Sequence, residues 1–419
     1  MSPMVAEAEK SVVTPSILVD VSKFSPEIAV ARLVEHAADM GASDLFLVSN
    51  VNHIAADVRH HGMVRTIAHI ANEQGKKCQS FIKANAAMDL TEKRRPMDGR
   101  WIYKKPTGEV IDLRINVIPT MYGEDFAIRI LARGNRLFTL ENVGMSREQM
   151  QTYTSWINSP SGLILITGPT GSGKTATQYA SMIKLNDGRR KINTIEDPIE
   201  YAIDGLRQSQ VNPSVDLGFG ELLRSVLRQS PDVIMIGEIR DELTAKTAVY
   251  AANSGILVFA TLHAPHAAAA IQAMRSLGSP SHFLASSLRG VVSQRLVRTL
   301  DPQSRSEFDL DEAPEMFDEV KPWLAPGEGK TLYAPKPAPS NQMTGYAGRA
   351  GVFEVLNVSR AIRQLITEEA PVRAIRERAL EEKMLDFRKA AMLKVARGET
   401  STEEVLRVIP SEQLLDDVD

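Results

Sequence analysis

Cysteine is nearly absent from the sequence: Cys78 is the single cysteine among 419 residues. One thiol cannot form a disulfide within the chain, and it cannot supply the cysteine pairs of a zinc site. Because disulfides persist mainly in oxidising compartments, this composition fits a reducing cytoplasm.

The sequence also lacks a strong excess of one charge sign and has few aromatic residues. Lys and Arg total 49 against 52 Asp and Glu, the net charge is -3, and aromatic residues make up 5%. Proteins that follow a nucleic acid strand combine a basic groove with stacking aromatic side chains. Specific nucleic-acid binding is therefore not expected.

Long apolar runs are missing as well. Runs such as residues 163–166 and 256–260 are far shorter than the roughly 18 residues of a membrane-spanning helix. The start, MSPMVAEAEKSVV, mixes acidic residues into a weakly apolar stretch and lacks the basic start and the apolar block of a signal peptide. We expect a cytoplasmic protein that does not cross a membrane by itself.

The length allows two or three domains. A flexible arm over residues 1–24 precedes an α+β domain over 25–131, where alternating apolar residues at 111–117 and 126–130 predict half-buried strands. The regions that follow are a linker over 132–145, a nucleotide-binding α/β domain over 146–300, a loop-rich insertion over 301–343 and a helical C-terminal region over 344–419.

Four short candidate strands indicate the architecture of the α/β domain. They lie at residues 163–166, 191–195, 233–236 and 257–260. The stretches between them are long enough for right-handed crossover helices, which parallel strands require. The pattern predicts a doubly wound sheet.

A phosphate-binding loop directly follows the first of these strands. The sequence GPTGSGKT at residues 168–175 matches the pattern G-x-x-x-x-G-K-[ST] between a strand and a helix. Its backbone N–H groups, the lysine ammonium and the threonine hydroxyl suit phosphates and Mg²⁺. The predicted nucleotide-binding residues are Gly168, Pro169, Thr170, Gly171, Ser172, Gly173, Lys174 and Thr175.

Acidic residues follow two later strands. Glu196, Asp197 and Glu200 come after the strand that ends at residue 195, and Glu238 comes after the strand over 233–236. Strand ends beside a phosphate loop are where a Mg²⁺ anchor and a water-orienting carboxylate belong. Either acid alone would more commonly be a solvated loop charge.

Two pairs of arginines are candidates for contact with the nucleotide. Arg114 and Arg129 lie on the polar faces of two successive strands, and Arg224 and Arg228 share one face of an amphipathic helix. Solvated surface charge is the alternative explanation for each pair.

Many further motifs resemble the secretion ATPases of type II secretion and type IV pilus assembly, the GspE/PilB family. The resemblance covers residues 41–408. The segments that carry it are GASDLFL, FIKANAAMDLTEKRRPMDGR, DLRINVIPTMYGED, AIRIL, GPTGSGKT, TIEDPIEY, LRQSPDVIMIGEIRD, TLHA and GYAGRAGVFEVL.

The resemblance implies a RecA-like P-loop motor domain, preceded by a smaller α+β, PAS-like domain and followed by helices. It implies a homo-hexameric ATPase that uses ATP and Mg²⁺ and acts through a membrane platform protein at the cytoplasmic face of the inner membrane. Association with the membrane would be peripheral.

The resemblance also implies roles for individual residues. Lys174 and Thr175 would hold phosphates and Mg²⁺, Glu238 would anchor the Mg²⁺ shell through water, and Glu196 would orient the attacking water. The roles of Glu196 and Glu238 are open to exchange. His263 in TLHA would sense the γ-phosphate, and its alternative is a strand-end histidine that satisfies a carbonyl group.

The arginines of both pairs would stabilise the transition state when they close on the nucleotide. Alternatives to an assembly or secretion motor are a pilus-retraction motor, a DNA-uptake or conjugation motor, and a subunit that binds nucleotide without hydrolysing it.

Three positions depart from the family pattern. Many members carry two cysteine pairs that hold zinc after the segment matching QRLVRTL, and this chain has DPQSRSEFDLDE there. No zinc site is therefore expected, and the insertion must fold by packing or stay flexible. Ser230 replaces an aspartate, and Ile256 replaces the first histidine of the histidine box.

Overall fold

The computed structural model describes residues 18–132, 139–310 and 315–414. The chain divides into two compact units, residues 1–135 and residues 136–419, and each is described by itself. Within the described ranges, no helix combines the length and the apolar character needed to cross a membrane.

The first unit is an antiparallel sheet of six strands with two helices. The strands are β1 (Asp44–Ser49), β2 (His53–His60), β3 (Met63–Ala71), β4 (Met97–Lys104), β5 (Val110–Thr120) and β6 (Gly123–Ala132). The helices are α1 (Pro26–Asp39) and α2 (Asn72–Asn85). The strand order is β3-β2-β1-β6-β5-β4, and every neighbouring pair is antiparallel.

Alternation along the strands builds the core of this unit. Leu45 of β1 and Leu113 of β5 are buried in one cluster with Leu33 of α1 and Ile82 of α2. The intervening residues of the strands carry charges on the opposite face. The predicted half-buried strands are confirmed as β5 and β6, which a tight turn joins at Thr120 and Gly123.

The predicted N-terminal arm differs from the structure where the two can be compared. Residues 1–17 lie outside the described part of the chain. In the remainder, the backbone N–H of Val19 donates to the carbonyl of Ile67 at 2.7 Å, and Val21 is buried. Residues 18–24 therefore pack onto the first unit, because Val21 joins its apolar core. The prediction of a flexible arm was wrong for this segment.

The second unit is built on a seven-stranded sheet. Its strands are β7 (Gly162–Thr167), β8 (Ile192–Glu196), β9 (Arg207–Gln210), β10 (Val233–Ile236), β11 (Leu257–Leu262), β12 (Leu288–Leu300) and β15 (Tyr346–Asn357). The strand order is β15-β12-β7-β11-β10-β8-β9. All neighbours are parallel except β12 and β15. The four predicted strands are confirmed as β7, β8, β10 and β11.

Helices cover both faces of this sheet. Leu163 and Leu165 of β7 belong to one core cluster, and Ile164 and Ile166 belong to a second. The helices are α3 (Arg147–Ile157), α4 (Lys174–Leu185), α5 (Phe219–Leu227), α6 (Glu242–Asn253), α7 (Ala267–Ser276), α8 (Ser281–Ser287), α9 (Arg360–Thr367), α10 (Val372–Glu381), α11 (Phe387–Ala396) and α12 (Thr402–Val408). Apolar contacts on both sides of a parallel sheet are the doubly wound arrangement that the sequence predicts.

The predicted helical region over 344–419 begins with a strand. β15 pairs antiparallel with β12 and extends the sheet of the second unit. Val352 and Leu356 of β15 are buried at the sheet, which explains why this segment is extended. Helices α9–α12 follow, and residues 415–419 lie outside the described part.

The insertion over 301–343 folds by packing in its described residues. Two short strands, β13 (Ser306–Asp309) and β14 (Thr331–Ala334), pair antiparallel. Phe317 and Val320 are buried in one cluster with Phe387 of α11. Asn341 ties the end of the insertion to its start, because its amide donates to Asp301 at 3.0 Å. Apolar contacts, hydrogen bonds and ion pairs such as Arg388–Glu319 at 2.9 Å therefore hold the described part of the insertion.

Candidate nucleotide-binding site

The phosphate-binding loop joins β7 to the N-terminus of α4. Helix α4 begins at Lys174, and Gly173 precedes it as the N-cap. The φ angles of Gly168 and Gly173 are +145° and +90°, a region that favours glycine. The loop and the first turn of α4 therefore direct free backbone N–H groups to one place, as an anion cradle requires.

Gln294 of β12 supports this loop from behind. Its Nε2 donates to the carbonyl of Ser172 at 2.8 Å, and its Oε1 accepts from Thr177 Oγ1 at 2.9 Å. Gln294 is 1% exposed. A Cβ atom at Gly168 would lie 2.4 Å from the Gln294 carbonyl oxygen, so only glycine fits beside this strand.

Lys174 lies over the loop that it follows. Its Nζ donates to the carbonyls of Gly168 at 2.8 Å and Pro169 at 3.1 Å. Burial lowers the pKa of Lys174, the charge of Glu238 opposes this shift, and Arg295 adds to it. The charge of Lys174 therefore interacts with that of Glu238, the carboxylate predicted to anchor Mg²⁺.

Glu238 lies just after β10, and its carboxylate contacts His263 and Arg240. Its Oε1 is 2.8 Å from His263 Nε2, and its Oε2 accepts from Arg240 Nε at 2.7 Å. The side chain of Glu238 is 16% exposed and that of His263 is 50% exposed. Two of the predicted site residues, Glu238 and His263, are thus in direct contact.

Glu196 ends β8, the strand beside β10. It is 3% exposed and accepts hydrogen bonds from Tyr179, Thr194 and Gln208. Asp197 follows it and lies 3.8 Å from Arg240 Nη1. Arg240 therefore connects the segments that carry the two predicted catalytic acids.

Thr175 and Glu238 are the residues that could hold Mg²⁺. Thr175 is the second residue of α4 and is half-buried. A hydroxyl and a partly exposed carboxylate are hard oxygen donors, and Mg²⁺ commonly keeps several waters between itself and protein carboxylates. This donor set fits Mg²⁺.

The arginines of α5 are exposed at the end of that helix. Arg224 is in its last turn, and Arg228 is its C-cap. Arg228 donates to the carbonyl of Arg224 at 3.1 Å and to Ser225 Oγ at 3.2 Å. Their described hydrogen bonds stay within this segment, and the structure does not bring them to Glu196 or Glu238.

Arg114 and Arg129 belong to the first unit. They lie directly opposite each other on β5 and β6, so both side chains are on the face of the sheet away from the helices. Arg100 of β4 lies opposite Arg114 and extends the row. Arg129 is 3.7 Å from Asp44 and is 60% exposed.

Four further residues of the site were not predicted from the sequence. They are Tyr179, Arg240, Gln294 and Arg295. Arg295 donates to the carbonyl of Pro265 at 2.7 Å, just after His263. Tyr179, Gln294 and Arg295 reach their partners across the fold, and sequence spacing carries no signal for such contacts. Arg240 contacts Glu238 two positions away, but its approach to Asp197 likewise depends on the fold.

The family assignment follows from comparison with known proteins. A model of the family "Type II/IV secretion system protein" matches residues 22–407. This chain belongs to that family. The type II secretion system ATPase E of Vibrio cholerae is 38% identical over 380 residues, which are 90% of this chain and 74% of the relative. The type IV pilus assembly ATPase TfpB of Acinetobacter baylyi is 34% identical over 378 residues, which are 90% of this chain and 64% of the relative.

Two solved structures share the fold of this secretion system protein. The ATPase DotB of Legionella pneumophila has a TM-score of 0.70 at 21% identity and covers 93% of this chain and 97% of its own. The pilus retraction motor PilT with bound ADP has a TM-score of 0.59 at 23% identity and covers 90% of this chain and 96% of its own. The RecA-like fold predicted from the sequence is confirmed, and this member of the family is an ATP-hydrolysing enzyme.

Proposed function

We propose that this chain is the Mg²⁺-dependent motor ATPase of a type II secretion or type IV pilus assembly system. It works as a homo-hexamer at the cytoplasmic face of the inner membrane and drives a membrane platform protein. The observation that carries the proposal is the placement of Glu238 and Glu196 at the ends of adjacent strands, with Glu238 in the electrostatic field of Lys174.

The residues of the loop and its surroundings would divide the chemistry as follows. The loop N–H groups and Lys174 bind the phosphate oxygens, and Thr175 and Glu238 hold Mg²⁺. When bound there, Mg²⁺ would neutralise negative charge on the phosphate oxygens. Glu196 orients the attacking water and accepts its proton.

His263 and Arg240 would affect the metal site through the carboxylate of Glu238, which both of them contact. The 2.8 Å contact between His263 and Glu238 lets a group near the γ-phosphate affect the carboxylate that holds the metal. His263 is half-exposed, so it is accessible to a bound phosphate. This supports its proposed role as the γ-phosphate sensor.

The exposed arginines would complete the site in the assembled ring. Arg224 and Arg228 present cations on α5, and Arg114 and Arg129 present cations on the first unit. Positive charge that arrives at the nucleotide only on closure stabilises the transition state and couples hydrolysis to domain motion.

The proposal is tested by ATP turnover of purified variants. Lys174→Ala should lower the rate of phosphate release at least 100-fold, since the loop loses its only side-chain cation. Lys184→Ala, on the exposed face of the same helix, is the matched control and should keep the wild-type rate. Wild-type turnover in Lys174→Ala would contradict the assignment.

The biological direction of the motor is tested by deletion of the gene. Loss of filaments or of secretion is expected for an assembly or secretion motor. Excess filaments would instead identify a retraction motor. The relatives named as type II secretion and type IV pilus assembly ATPases, at 34–38% identity, favour the first outcome.

A further inference from the structure

We propose that Tyr179 is a positioning residue for the carboxylate of Glu196. The inference rests on the water-orienting role of Glu196 in the proposed function. Tyr179 belongs to α4, the helix that begins at Lys174, and Glu196 ends β8. The two residues meet in the buried interior of the second unit.

Three donors hold the Glu196 carboxylate. Tyr179 donates its hydroxyl to Oε2. Thr194 Oγ1 and Gln208 Nε2 donate to Oε1 at 2.5 and 3.0 Å. A carboxylate has about four acceptor positions, so one position remains, and it is on Oε2. Tyr179 therefore sets the direction from which Glu196 can accept a hydrogen bond from water.

The direction of the Tyr179 hydroxyl is itself fixed. Its oxygen accepts from the backbone N–H groups of Glu200 at 3.3 Å and Tyr201 at 3.4 Å. With its lone pairs engaged there, the hydroxyl proton is directed at Glu196. Burial, together with the charge and hydrogen bond of Glu196, raises the pKa of Tyr179, so the hydroxyl stays protonated.

The ring of Tyr179 is held independently of its hydroxyl. It is fully buried and packs edge-to-face against Tyr201, with ring centroids 5.9 Å apart. A phenylalanine at this position would keep that packing and lose only the hydrogen bonds. Tyr179→Phe is therefore a conservative test of positioning.

The location of Tyr179 also gives Glu196 a connection to the phosphate loop. Tyr179 follows Lys174 by five residues in one continuous helix. A shift of α4 on phosphate binding would move the tyrosine hydroxyl and, with it, the carboxylate that it holds. Tyr179 thus joins the binding of phosphate to the placement of the proposed base.

The test compares four variants by steady-state ATP hydrolysis and by the affinity for a fluorescent ATP analogue. Tyr179→Phe should lower kcat about tenfold or more, because a small misplacement of a reacting group is costly, and KM should change less than about twofold. Tyr153→Phe is the matched control: its hydroxyl contacts Ser181 Oγ at 2.7 Å in the same core cluster, and kcat should stay unchanged.

Glu196→Gln and the double variant Tyr179→Phe/Glu196→Gln complete the cycle. If Tyr179 acts through Glu196, the double variant should have the same kcat as Glu196→Gln alone. The proposal would be overturned if Tyr179→Phe lowered kcat in the Glu196→Gln background by the same factor as in the wild type. A kcat of Tyr179→Phe equal to or above that of the wild type would overturn it as well. Wild-type kcat in Glu196→Gln would overturn it through the role of Glu196, whereas active Lys174→Ala would contradict the proposed function itself.

Discussion

Gln294, a residue of β12, holds the conformation of the phosphate loop by a hydrogen bond to its backbone. Its amide donates to the Ser172 carbonyl and accepts from Thr177, and all three residues are buried. Leaving a buried hydrogen-bonding group without a partner costs about 1–3 kcal/mol. The loop conformation that binds phosphate therefore depends on a side chain from β12.

We expect Gln294→Met to weaken ATP binding. Methionine fills a similar volume but offers no donor to Ser172, so the loop relaxes and KM for ATP should rise about tenfold, equivalent to about 1.4 kcal/mol. Steady-state kinetics and titration with the fluorescent analogue measure this change.

Thr177→Val provides the control for that experiment. It removes the hydroxyl bound to Gln294 Oε1 and leaves the donor to Ser172 in place. Its KM should remain close to that of the wild type. Equal changes in KM for both variants would show that general loss of packing, and not the loop contact, is responsible.

At the scale of elements, α12 is attached to β12 through one buried carboxylate. Glu404 has no exposed surface and accepts three hydrogen bonds from Arg298 and two from Arg407, at 2.6–2.9 Å. Breaking a buried ion pair by removing one partner costs about 3–5 kcal/mol. This contact therefore anchors the last helix of the second unit.

Glu404→Gln should lower the free energy of unfolding by about 3 kcal/mol at pH 7. Burial raises the pKa of Glu404, but the hydrogen bonds from Arg407 and Arg298 outweigh it and hold the pKa below its ordinary value of 4.5. A lowered carboxyl pKa stabilises the fold above that ordinary value, and the stabilisation is lost as the pH falls through the folded pKa.

The pH dependence distinguishes this explanation from a simple packing defect. In urea titrations, the difference between wild type and Glu404→Gln should be largest near pH 7 and shrink below pH 4.5. Glu403→Gln, one residue away and exposed, should match the wild type throughout. A pH-independent difference would argue against the ionic contribution.

The elements that could be predicted from the sequence are those with a local apolar signature. The runs that became β7, β10 and β11 are continuous and buried. β12 was missed because it carries Gln294, Arg295 and Arg298, whose partners come from distant segments. A buried polar strand cannot be distinguished from a surface segment until those partners are known.

In the candidate site, as in the fold, the residues that could be predicted are those that belong to local sequence patterns. Lys174 and the glycines follow from a local motif, and Glu196 and Glu238 follow from strand ends beside it. Tyr179 lies 17 residues before Glu196, and Gln294 lies 117 residues after Thr177. Only the fold brings these pairs together, so local sequence patterns could not identify them.

At the scale of the whole molecule, the proposed catalytic cations are divided between the two units. Arg114 and Arg129 lie on the first unit, and the phosphate loop lies on the second. The α5 arginines are exposed. Solvent screens exposed charges, so these arginines can contribute fully only where assembly excludes water.

We therefore expect ATP turnover per chain to rise with protein concentration. The rate should increase at least tenfold as light scattering detects six chains per particle, because the ring would bring the arginines to the nucleotide. Arg224→Ala should form the same particle without the increase. Constant turnover per chain from monomer to hexamer would contradict this dependence on assembly.

Because Cys78 is inaccessible to labelling reagents, fluorescent labels can be placed at other positions to observe the two units during turnover. Cys78 is fully buried in the first unit, and burial, assisted by the charge of Glu27, raises the pKa of its thiol to about 11. At pH 7 only about one such thiol in 10⁴ is a reactive thiolate. Maleimide dyes should therefore react with cysteines introduced at Met121 and Leu406, which are 89% and 70% exposed, and leave the native thiol unmodified. The wild-type background is already suited to fluorescence measurements of domain motion.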